Sequence, residues 1–386
     1  MRLNIPGSLR KVDVEMFLGA RRDEIDTPAL LIDLQGMEKN IKTMADYYRL
    51  KGGVLRPHQK GHRLPIVARK QIESGARGVS MTSLGLAEFY VDSGIDDILV
   101  TAEICGRSKL TRLCTLSKHG NVTVSVDQMD NARQLSEVAL ANNVSINVAV
   151  ELYMGKGSAG VLLEDAKSFV KELEKVRSLN FRGLWWHEIF SSACKRNFEL
   201  RRKENFDTLD TIAVLKDEIE DMGITIEMLS GGYTYTWNIT PEYSKLREVE
   251  VQAGNYVFSD WCTKLVDGVS IFDCALTVLT RCISRPKANE AIFDFGMNSC
   301  SDECGHDYRE VVGPRFKNID GIKEVRQREE VSLAVFNEPN SDVKVGDVFE
   351  VIPPHADSTA KLYDRYYGMR DDKVEGIWPN YGRGLL

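Results

Sequence analysis

Short apolar runs rich in β-branched residues alternate with longer amphipathic segments through the first two thirds of the chain. The runs have the length and composition of buried strands, whereas the segments repeat apolar residues with the helical period. Eight runs are predicted strands: Ala29–Asp33, Val54–His58, Gly78–Met81, Asp97–Thr101, Val122–Asp127, Ile146–Leu152, Phe181–His187 and Ile226–Ser230. The predicted helices include Met37–Tyr48, Leu64–Ser74, Leu84–Ser93, Gln128–Asn142, Leu163–Ser178 and Phe198–Met222.

This alternation predicts an α/β fold built on a parallel (β/α)8 barrel of the TIM type over residues 25–270. A doubly wound sheet is disfavoured because no G-x-G-x-x-G follows the first strand. After residue 270 the pattern changes to alternating, turn-rich segments: Ile271–Thr280, Glu290–Phe295, Val331–Phe336 and Val348–Ile352. We therefore predict a second, C-terminal β domain over residues 271–386, to which residues 1–24 can contribute.

Composition and net charge limit the classes of molecule that the protein is expected to bind. The 386 residues are 43% hydrophobic and carry a formal charge of −7, so the chain has a substantial core but no basic field for polyanions. We expect a small-molecule substrate, and neither nucleic acid nor a membrane as a partner. No stretch of the sequence is typical of a signal peptide or a membrane span.

Eight cysteines are scattered along the chain, which is typical of reduced proteins and favours a cytoplasmic location. Cys300, Cys304 and His306 have the spacing of a partial zinc site. No fourth ligand lies nearby in the sequence, and we favour ordinary thiols over a metal centre.

The densest charge lies in Arg56-Pro-His-Gln-Lys-Gly-His-Arg63, at the end of the second predicted strand. Catalytic residues of barrel enzymes lie at the carboxyl ends of the strands. Neighbouring cations depress the pKa of a lysine, which allows Lys60 to bond a carbonyl cofactor. A solvated basic loop is an equally good interpretation of these residues alone.

Two further segments carry candidate chemistry. In Leu229-Ser-Gly-Gly-Tyr-Thr234, backbone N–H groups and hydroxyls after a late strand can cradle a phosphate. In Pro353-Pro-His-Ala-Asp357, an extended chain would place His355 and Asp357 on one side, where they can share a metal ion. The residues alone favour a chance pair over a metal site.

The motif R-P-H-x-K-x-H-[KR] resembles the cofactor-lysine motif of the D-threonine aldolase and D-serine dehydratase-like family. Its members are fold-type III pyridoxal-phosphate enzymes with an alanine-racemase-like barrel. The resemblance covers nearly the whole chain, from Thr27 to Gly384. It implies that Lys60 bonds the cofactor, that His355 and Asp357 hold a divalent metal, and that the chain forms a homodimer. These harder oxygen and nitrogen ligands favour Mg²⁺ or Mn²⁺, with Zn²⁺ as the alternative.

The resemblance also implies a cofactor-binding set on the barrel. Besides Lys60, its members are Arg56, His58, Ser158, Ser230, Gly232, Tyr233, Thr234, Gly254, Asn255 and Tyr256. From the sequence alone, Tyr256 is as readily a core aromatic residue.

Four residues depart from the family pattern. Ser158 stands where the family has an arginine facing the pyridine nitrogen, and Lys156 lies near it. His187 stands where the family has a tyrosine. Its three possible roles are to carry a proton, to stack on the cofactor, or to be a core histidine. Tyr233 and Tyr235 replace glycines in the phosphate loop.

The implied activity is cleavage of a D-β-hydroxy-α-amino acid to glycine and an aldehyde, with Lys60, His62 and His187 as catalytic residues. A D-serine or D-3-hydroxyaspartate dehydratase, giving a keto acid and ammonia, is the alternative. An amino-acid racemase and a non-catalytic cofactor-binding protein are hypotheses of other classes.

Overall fold

The computed structural model describes residues 14–155, 158–188, 196–301 and 312–385. Within them the chain forms two compact units. One contains the described residues up to Glu38, then Phe258–Cys262 and Asp273–Asn380. The other contains Lys39–Val257, Thr263–Phe272 and the described residues from Tyr381 onward. The boundaries differ from the predicted ones at both ends of the barrel. Phe258–Cys262 belongs to the unit of the C-terminal sheet, and the described residues from Tyr381 onward belong to the barrel unit.

The second of these units is a parallel eight-stranded barrel, which confirms the predicted fold class. Its strands are β2 (Val54–Leu55), β3 (Val79–Met81), β4 (Asp97–Glu103), β5 (Asn121–Val126), β6 (Ile146–Leu152), β7 (Leu179–Trp186), β8 (Met228–Gly231) and β9 (Val249–Val251). Neighbours follow the order β2-β9-β8-β7-β6-β5-β4-β3. A parallel bridge between His58 and Ser80 joins the two ends of this order.

The count of eight barrel strands is right, but one member was predicted wrongly. Strand β1 (Ala29–Asp33) lies in the sheet of the other unit, whereas the barrel strand β9 was missed. The sequence could not separate the two cases, because an apolar run buried on both faces looks alike in either sheet. Val249-Glu-Val251 is too short, and too polar at its centre, to give a strand signal.

Helices follow most barrel strands on the outside, as expected from the helical periods. Those that the structure describes are α1 (Leu34–Lys51), α2 (Pro65–Glu73), α3 (Leu84–Asp92), α4 (Arg107–Leu116), α5 (Met129–Ala141), α6 (Leu163–Leu173) and α7 (Phe198–Glu220). Local signals start some of them: Pro65 opens α2, and the Asn197 side chain accepts the Leu200 N–H at 3.0 Å at the start of α7. No helix in the described ranges combines the length and apolar character needed to cross a bilayer.

The first unit is a mainly antiparallel nine-stranded sheet. With β1 it contains β10 (Leu276–Lys287), β11 (Glu290–Phe293), β12 (Arg315–Phe316), β13 (Ile322–Gln327), β14 (Ser332–Phe336), β15 (Val348–Ile352), β16 (Arg365–Arg370) and β17 (Lys373–Pro379). Strand β1 pairs antiparallel with β10 and parallel with β16. Phe17, in a short 3-10 turn, packs into a core cluster with Leu31 and Leu279. Residues 14–24 therefore contribute to this unit, while residues 1–13 lie outside the described ranges.

Arg56 is a buried ionic centre of the barrel. Its Nε lies 2.6 Å from Glu250 Oε2 and its Nη1 lies 2.7 Å from Asp97 Oδ1, so one guanidinium joins β2, β9 and the start of β4. Gly78 leaves room for it, because a Cβ there would come within 2.5 Å of Arg56 Nη1. The sequence placed Arg56 in the cofactor set, whereas the structure pairs its guanidinium with Glu250 on β9 and with Asp97 at the amino end of β4.

Replacing Glu250 by glutamine should destabilise the barrel strongly. The variant leaves a buried guanidinium short of its main counter-charge, which costs about 3–5 kcal/mol. Urea denaturation followed by circular dichroism measures the change. Glu248→Gln is the matched control, because the Glu248 side chain is 69% exposed and should cost under about 0.5 kcal/mol. Equal stability of the two variants would contradict a structural role for Arg56.

Candidate active site

The loop after β2 places Lys60 through its neighbour His58. The Lys60 backbone N–H donates to His58 Nδ1 at 3.2 Å, and His58 Nε2 lies 3.3 Å from Thr101 Oγ1. Because the Thr101 hydroxyl donates to the Met81 carbonyl, it accepts the His58 proton, which fixes a neutral imidazole with its hydrogen on Nε2. The Lys60 side chain is exposed, so its amine is open to a ligand at this end of the barrel.

Gln59 anchors the same loop from below, and sequence analysis missed it. The side chain is fully buried; its Nε2 donates to Gln71 Oε1 at 3.1 Å and its Oε1 accepts from Tyr90 OH at 3.2 Å. Gln71 in turn donates to Tyr256 OH at 2.9 Å. In an extended segment neighbouring side chains point to opposite sides. An uncharged residue between His58 and Lys60 was therefore the available signal.

Positive groups converge on His58. Burial, and then the charges of Lys60, His187, His62 and Arg63, lower the pKa of His58 well below its usual value. His62 is fully buried, and its Nδ1 accepts the Leu64 N–H at 3.1 Å. Three of the predicted catalytic residues, Lys60, His62 and His187, thus lie around one neutral imidazole.

The loop after β8 carries the predicted phosphate contacts. Ser230 is fully buried, and its hydroxyl accepts from Gln252 Nε2 at 3.0 Å, so it links β8 to the loop after β9. Thr234 is also buried, whereas Gly232 adopts φ +71°, a conformation that favours glycine. Tyr233 stacks edge-on against His187, with 5.5 Å between ring centroids. Tyr235 lies beside Tyr233, at 5.1 Å.

The loop after β9 approaches His58 closely. A Cβ on Gly254 would come within 2.3 Å of the His58 carbonyl oxygen, so only glycine allows this contact. The Asn255 side chain donates to Thr263 Oγ1 at 2.9 Å. Tyr256 is completely buried against Phe272, and burial raises the pKa of its hydroxyl. Its contacts favour the core interpretation of this residue.

Ser158 follows β6 in a loop that folds back on the strand. The Gly160 N–H donates to Asp127 Oδ2 at 3.2 Å. The Ser158 hydroxyl oxygen is buried and has no hydrogen-bonding partner among the described residues. Lys156, suggested as a substitute for the family arginine, lies outside those residues.

Acidic side chains at the carboxyl ends of β4 to β6 form a second cluster that sequence analysis missed. The Ser125 hydroxyl lies 2.7 Å from Glu103 Oε1 and 3.3 Å from Glu151 Oε2, and it accepts from Trp185 Nε1 at 3.0 Å. Burial, and then the adjacent Glu103, raise the pKa of Glu151. One carboxyl of the pair therefore holds a proton near neutral pH. A charged residue ending an apolar strand run was the signal.

Glu188 is a third buried carboxylate at this edge. Its Oε1 accepts from Trp186 Nε1 at 3.1 Å and from Asn205 Nδ2 at 3.0 Å. Burial raises the pKa of Glu188 to about 7. A carboxyl with that pKa changes charge within the physiological range.

The other unit contains the predicted metal pair. His355 is extended, but α8 (Ala356–Ala360) begins directly after it, so Asp357 lies in a helical turn rather than the predicted extended chain. The turn forms because Asp260 Oδ2 accepts the Ala356 N–H at 3.1 Å. His355 Nδ1 contacts Ser358 Oγ at 2.8 Å, so Nε2 is the ring nitrogen that could bind a metal ion.

The donor set of this turn fits a divalent ion. Asp357 is 5% exposed, and its Oδ1 has no hydrogen-bonding partner within the described residues. A buried carboxylate oxygen without a partner is costly unless a cation or a proton compensates it. Within the described ranges no group of three or more histidine, cysteine or acidic side chains could hold a metal. Cys304 and His306 of the partial zinc motif lie outside those ranges.

The barrel site also fits pyridoxal phosphate. Lys60 is exposed beside an ordered His58, Gly254 gives a close backbone approach, and a buried Ser158 hydroxyl still needs a partner. The structure brings His58, Lys60, His187 and Tyr233 to one edge. It turns Arg56 and Tyr256 away into buried networks.

Comparison with known families matches both parts of the chain. Residues 32–258 match the family described as alanine racemase, N-terminal domain, and residues 275–369 match one described as a putative serine dehydratase domain. These matches confirm the family that the sequence motifs resemble.

Curated relatives match over almost the full length. A 3-hydroxy-D-aspartate aldolase of Paracoccus denitrificans (strain Pd 1222) is 30% identical over 384 residues, covering 96% of each chain. A D-threonine aldolase of Arthrobacter sp is 30% identical over 368 residues, covering 94% of this chain and 93% of the relative. A D-threo-3-hydroxyaspartate dehydratase of Delftia sp. (strain HT23) is 24% identical over 92% of this chain and 97% of the relative.

A solved structure supports the same assignment. The crystal structure of D-threonine aldolase from Filomicrobium marinum superposes with a TM-score of 0.88 at 29% identity. The superposition covers 96% of this chain and 98% of that one.

Glu151→Gln should flatten the dependence of stability on pH. A carboxyl with a raised pKa stabilises the folded state below its unfolded pKa of about 4.3, and that stability is lost as pH rises toward the raised value. We expect the wild type to lose about 2 kcal/mol more than the variant between about pH 5 and about pH 8. Urea denaturation at each pH tests this, with the exposed Glu164→Gln as control. Parallel pH profiles for wild type and Glu151→Gln would show that Glu151 is ionised throughout.

Proposed function

This chain belongs to the alanine racemase N-terminal domain family, and on that premise we propose that it is a pyridoxal-phosphate-dependent lyase of D-β-hydroxy-α-amino acids. The reaction is retro-aldol cleavage to glycine and an aldehyde, assisted by a divalent metal. The observation that carries the proposal is 30% identity to a 3-hydroxy-D-aspartate aldolase over 96% of the chain.

Lys60 holds the cofactor through its amine. His58 supports this role, because it accepts the Lys60 backbone N–H and so fixes the residue that carries the amine. When bound, pyridoxal phosphate stabilises the electron pair left at Cα as the Cα–Cβ bond breaks.

His187 is the better candidate for accepting the β-hydroxyl proton. Its side chain is exposed and held against Tyr233, whereas His62 is fully buried with Nδ1 engaged by Leu64. His355 and Asp357 would hold the divalent ion, which as a Lewis acid would lower the pKa of a hydroxyl bound to it. Mg²⁺ or Mn²⁺ suits this oxygen and nitrogen donor pair, and Zn²⁺ is the alternative.

Dehydration is the second candidate, favoured by the 24% identity to a D-threo-3-hydroxyaspartate dehydratase. In that reaction the Lys60 amine would take the α-proton, and a divalent ion held by His355 and Asp357 would supply the Lewis acid that helps the hydroxide leave. Incubation of the protein with D-threonine, D-serine and D-3-hydroxyaspartate in the presence of Mg²⁺, Mn²⁺ or Zn²⁺ separates the two. Glycine with an aldehyde identifies the aldolase, whereas a keto acid with ammonia identifies the dehydratase.

We further propose a homodimer in the cytoplasm. The family resemblance supports the dimer. The described cysteines Cys105, Cys114, Cys262, Cys274, Cys282 and Cys300 are all free thiols, which suits a reducing compartment. Sedimentation velocity of the full-length chain measures the oligomeric state.

Lys60→Ala should abolish both cofactor attachment and turnover. The variant lacks the amine that bonds pyridoxal phosphate, so the visible absorbance band of the lysine-bound cofactor should be absent and activity should fall by at least about 10³-fold. Lys109→Ala, an exposed lysine on α4, is the control and should keep both. A Lys60→Ala protein that retains the band would refute the assignment. Loss of the band without turnover of any D-amino acid in the wild type would instead favour a cofactor-binding protein.

Asp357→Asn should weaken the metal site selectively. Loss of the ligand charge should reduce metal affinity by at least about 100-fold, while Ser358→Ala, which only frees His355 to rotate, should cost about 10-fold to 100-fold. Activation by added Mn²⁺ after chelation, measured for each variant, tests the order of these effects. Asp342→Asn, an exposed carboxylate of the same unit, should match the wild type. Unchanged metal activation in Asp357→Asn would exclude the pair as ligands.

A further inference from the structure

Glu188 is a buried carboxylate that the proposed reaction does not use. It is 4% exposed and directly follows His187 at the carboxyl end of β7. Two donors converge on Oε1, from Trp186 on its own strand and from Asn205 on α7. Oε2 is buried and has no hydrogen-bonding partner of standard geometry among the described residues. The site therefore accommodates a carboxyl group but compensates only one of its oxygens.

The backbone of the loop after β8 lies next to the Glu188 carboxyl. The Gly232 N–H lies close enough to the carboxyl to favour its charged form. The preceding residue, Gly231, packs so tightly on Trp186 that a Cβ would come within 2.1 Å of the indole ring. Any ligand that uses the N–H groups of this loop is therefore bound in the immediate surroundings of the Glu188 carboxyl.

The charged and titratable groups around Glu188 do not supply a counter-ion in the described residues. On α1, burial raises the pKa of the Tyr48 hydroxyl, and the nearby Glu188 charge adds a smaller contribution. On α7, the Arg201 guanidinium donates to the carbonyl oxygens of Tyr235 and Asp267. His187, the neighbour on β7, is turned to the solvent side and contacts Tyr233. Burial is accordingly the main cause that raises the pKa of Glu188 to about 7.

We propose that Glu188 is the positioning residue of the phosphate loop and that it carries a proton whenever a phosphate monoester is bound there. This inference rests on the proposed function and on the sequence prediction that the loop of Ser230 to Thr234 binds the cofactor phosphate. A carboxylate and a phosphate dianion on adjacent N–H groups repel each other, whereas a neutral carboxyl does not. The proton resides on Oε2, because Oε1 already accepts two hydrogen bonds. Binding to the ionised form therefore takes up one proton from solvent.

Pyridoxine 5′-phosphate tests the proposal without any bond to Lys60, because it has the ring and the phosphate but no aldehyde. Isothermal titration calorimetry on the full-length chain freed of bound cofactor gives its affinity at several pH values. For the wild type, affinity should fall about tenfold as pH rises from about 6.5 to about 8.5. Titrations in buffers of different ionisation enthalpy should show net proton uptake near pH 7.

Glu188→Gln keeps the acceptor oxygen for Trp186 and Asn205 but cannot ionise. Its affinity should follow only the ionisation of the phosphate itself, so the tenfold loss and the proton uptake attributed to Glu188 should disappear. Glu188→Ala also removes the anchor of the loop and should bind at least about tenfold more weakly at every pH. Glu204→Gln, an exposed carboxylate on α7, should reproduce the wild-type profile.

The pH profiles of the wild type and Glu188→Gln decide the outcome even if Glu188→Ala does not fold. Identical slopes and equal proton uptake in these two proteins would overturn the role of Glu188 and leave the proposed function standing. Absence of any pyridoxine 5′-phosphate binding by the wild type would overturn both. As a second readout, the unfolding free energy of the unliganded wild type should decline relative to Glu188→Gln as pH rises from about 5 through about 7.

Discussion

The buried guanidinium of Arg56 fixes the starting point of the active-site loop. It bonds to Glu250 on β9 and to Asp97 at the start of β4. These contacts hold strands that are distant in sequence at the same level along the barrel axis. A buried ion pair contributes little net stability, but breaking it is expensive, and this makes the register of β2 hard to change. His58 and Lys60 follow two and four residues later and inherit that register. The position of Lys60 thus depends on a contact well below it.

Above this ionic centre the barrel separates its charges. Lys60, His62 and His187 surround a neutral His58, while Glu103 and Glu151 share the opposite strands with a bridging Ser125. The basic groups lie near one another and the acidic groups lie near one another. Burial shifts the pKa values of the two sets in opposite directions, because it disfavours the charged form of each group. It suppresses protonation of His58 and favours protonation of Glu151. The neutral forms of His58 and of Glu151 are thus both favoured at this edge of the barrel.

Much of this architecture was predictable, because strand and helix periods and the density of charge after β2 are local signals. The exchange of Ala29–Asp33 for Val249–Val251 was not, since buried runs carry no information about which sheet receives them. The roles of Gln59, Glu151 and Glu188 were missed because each depends on partners far along the chain. For Arg56 the residue type was noticed but the direction of its side chain was not, because that direction is set by Glu250, which lies 194 residues later in the chain.

Trp185 and Trp186 give this barrel two adjacent optical probes with different surroundings. Consecutive residues of a strand face opposite sides, so Trp185 lies in the barrel interior with Leu99 and Met228, and Trp186 packs in the layer between strands and helices. The indole N–H of Trp185 bonds to Ser125 beside Glu103, whereas that of Trp186 bonds to Glu188. Each indole N–H therefore reports on the neighbourhood of a different carboxyl group, and replacing either indole by phenylalanine would separate its emission from that of the other tryptophans.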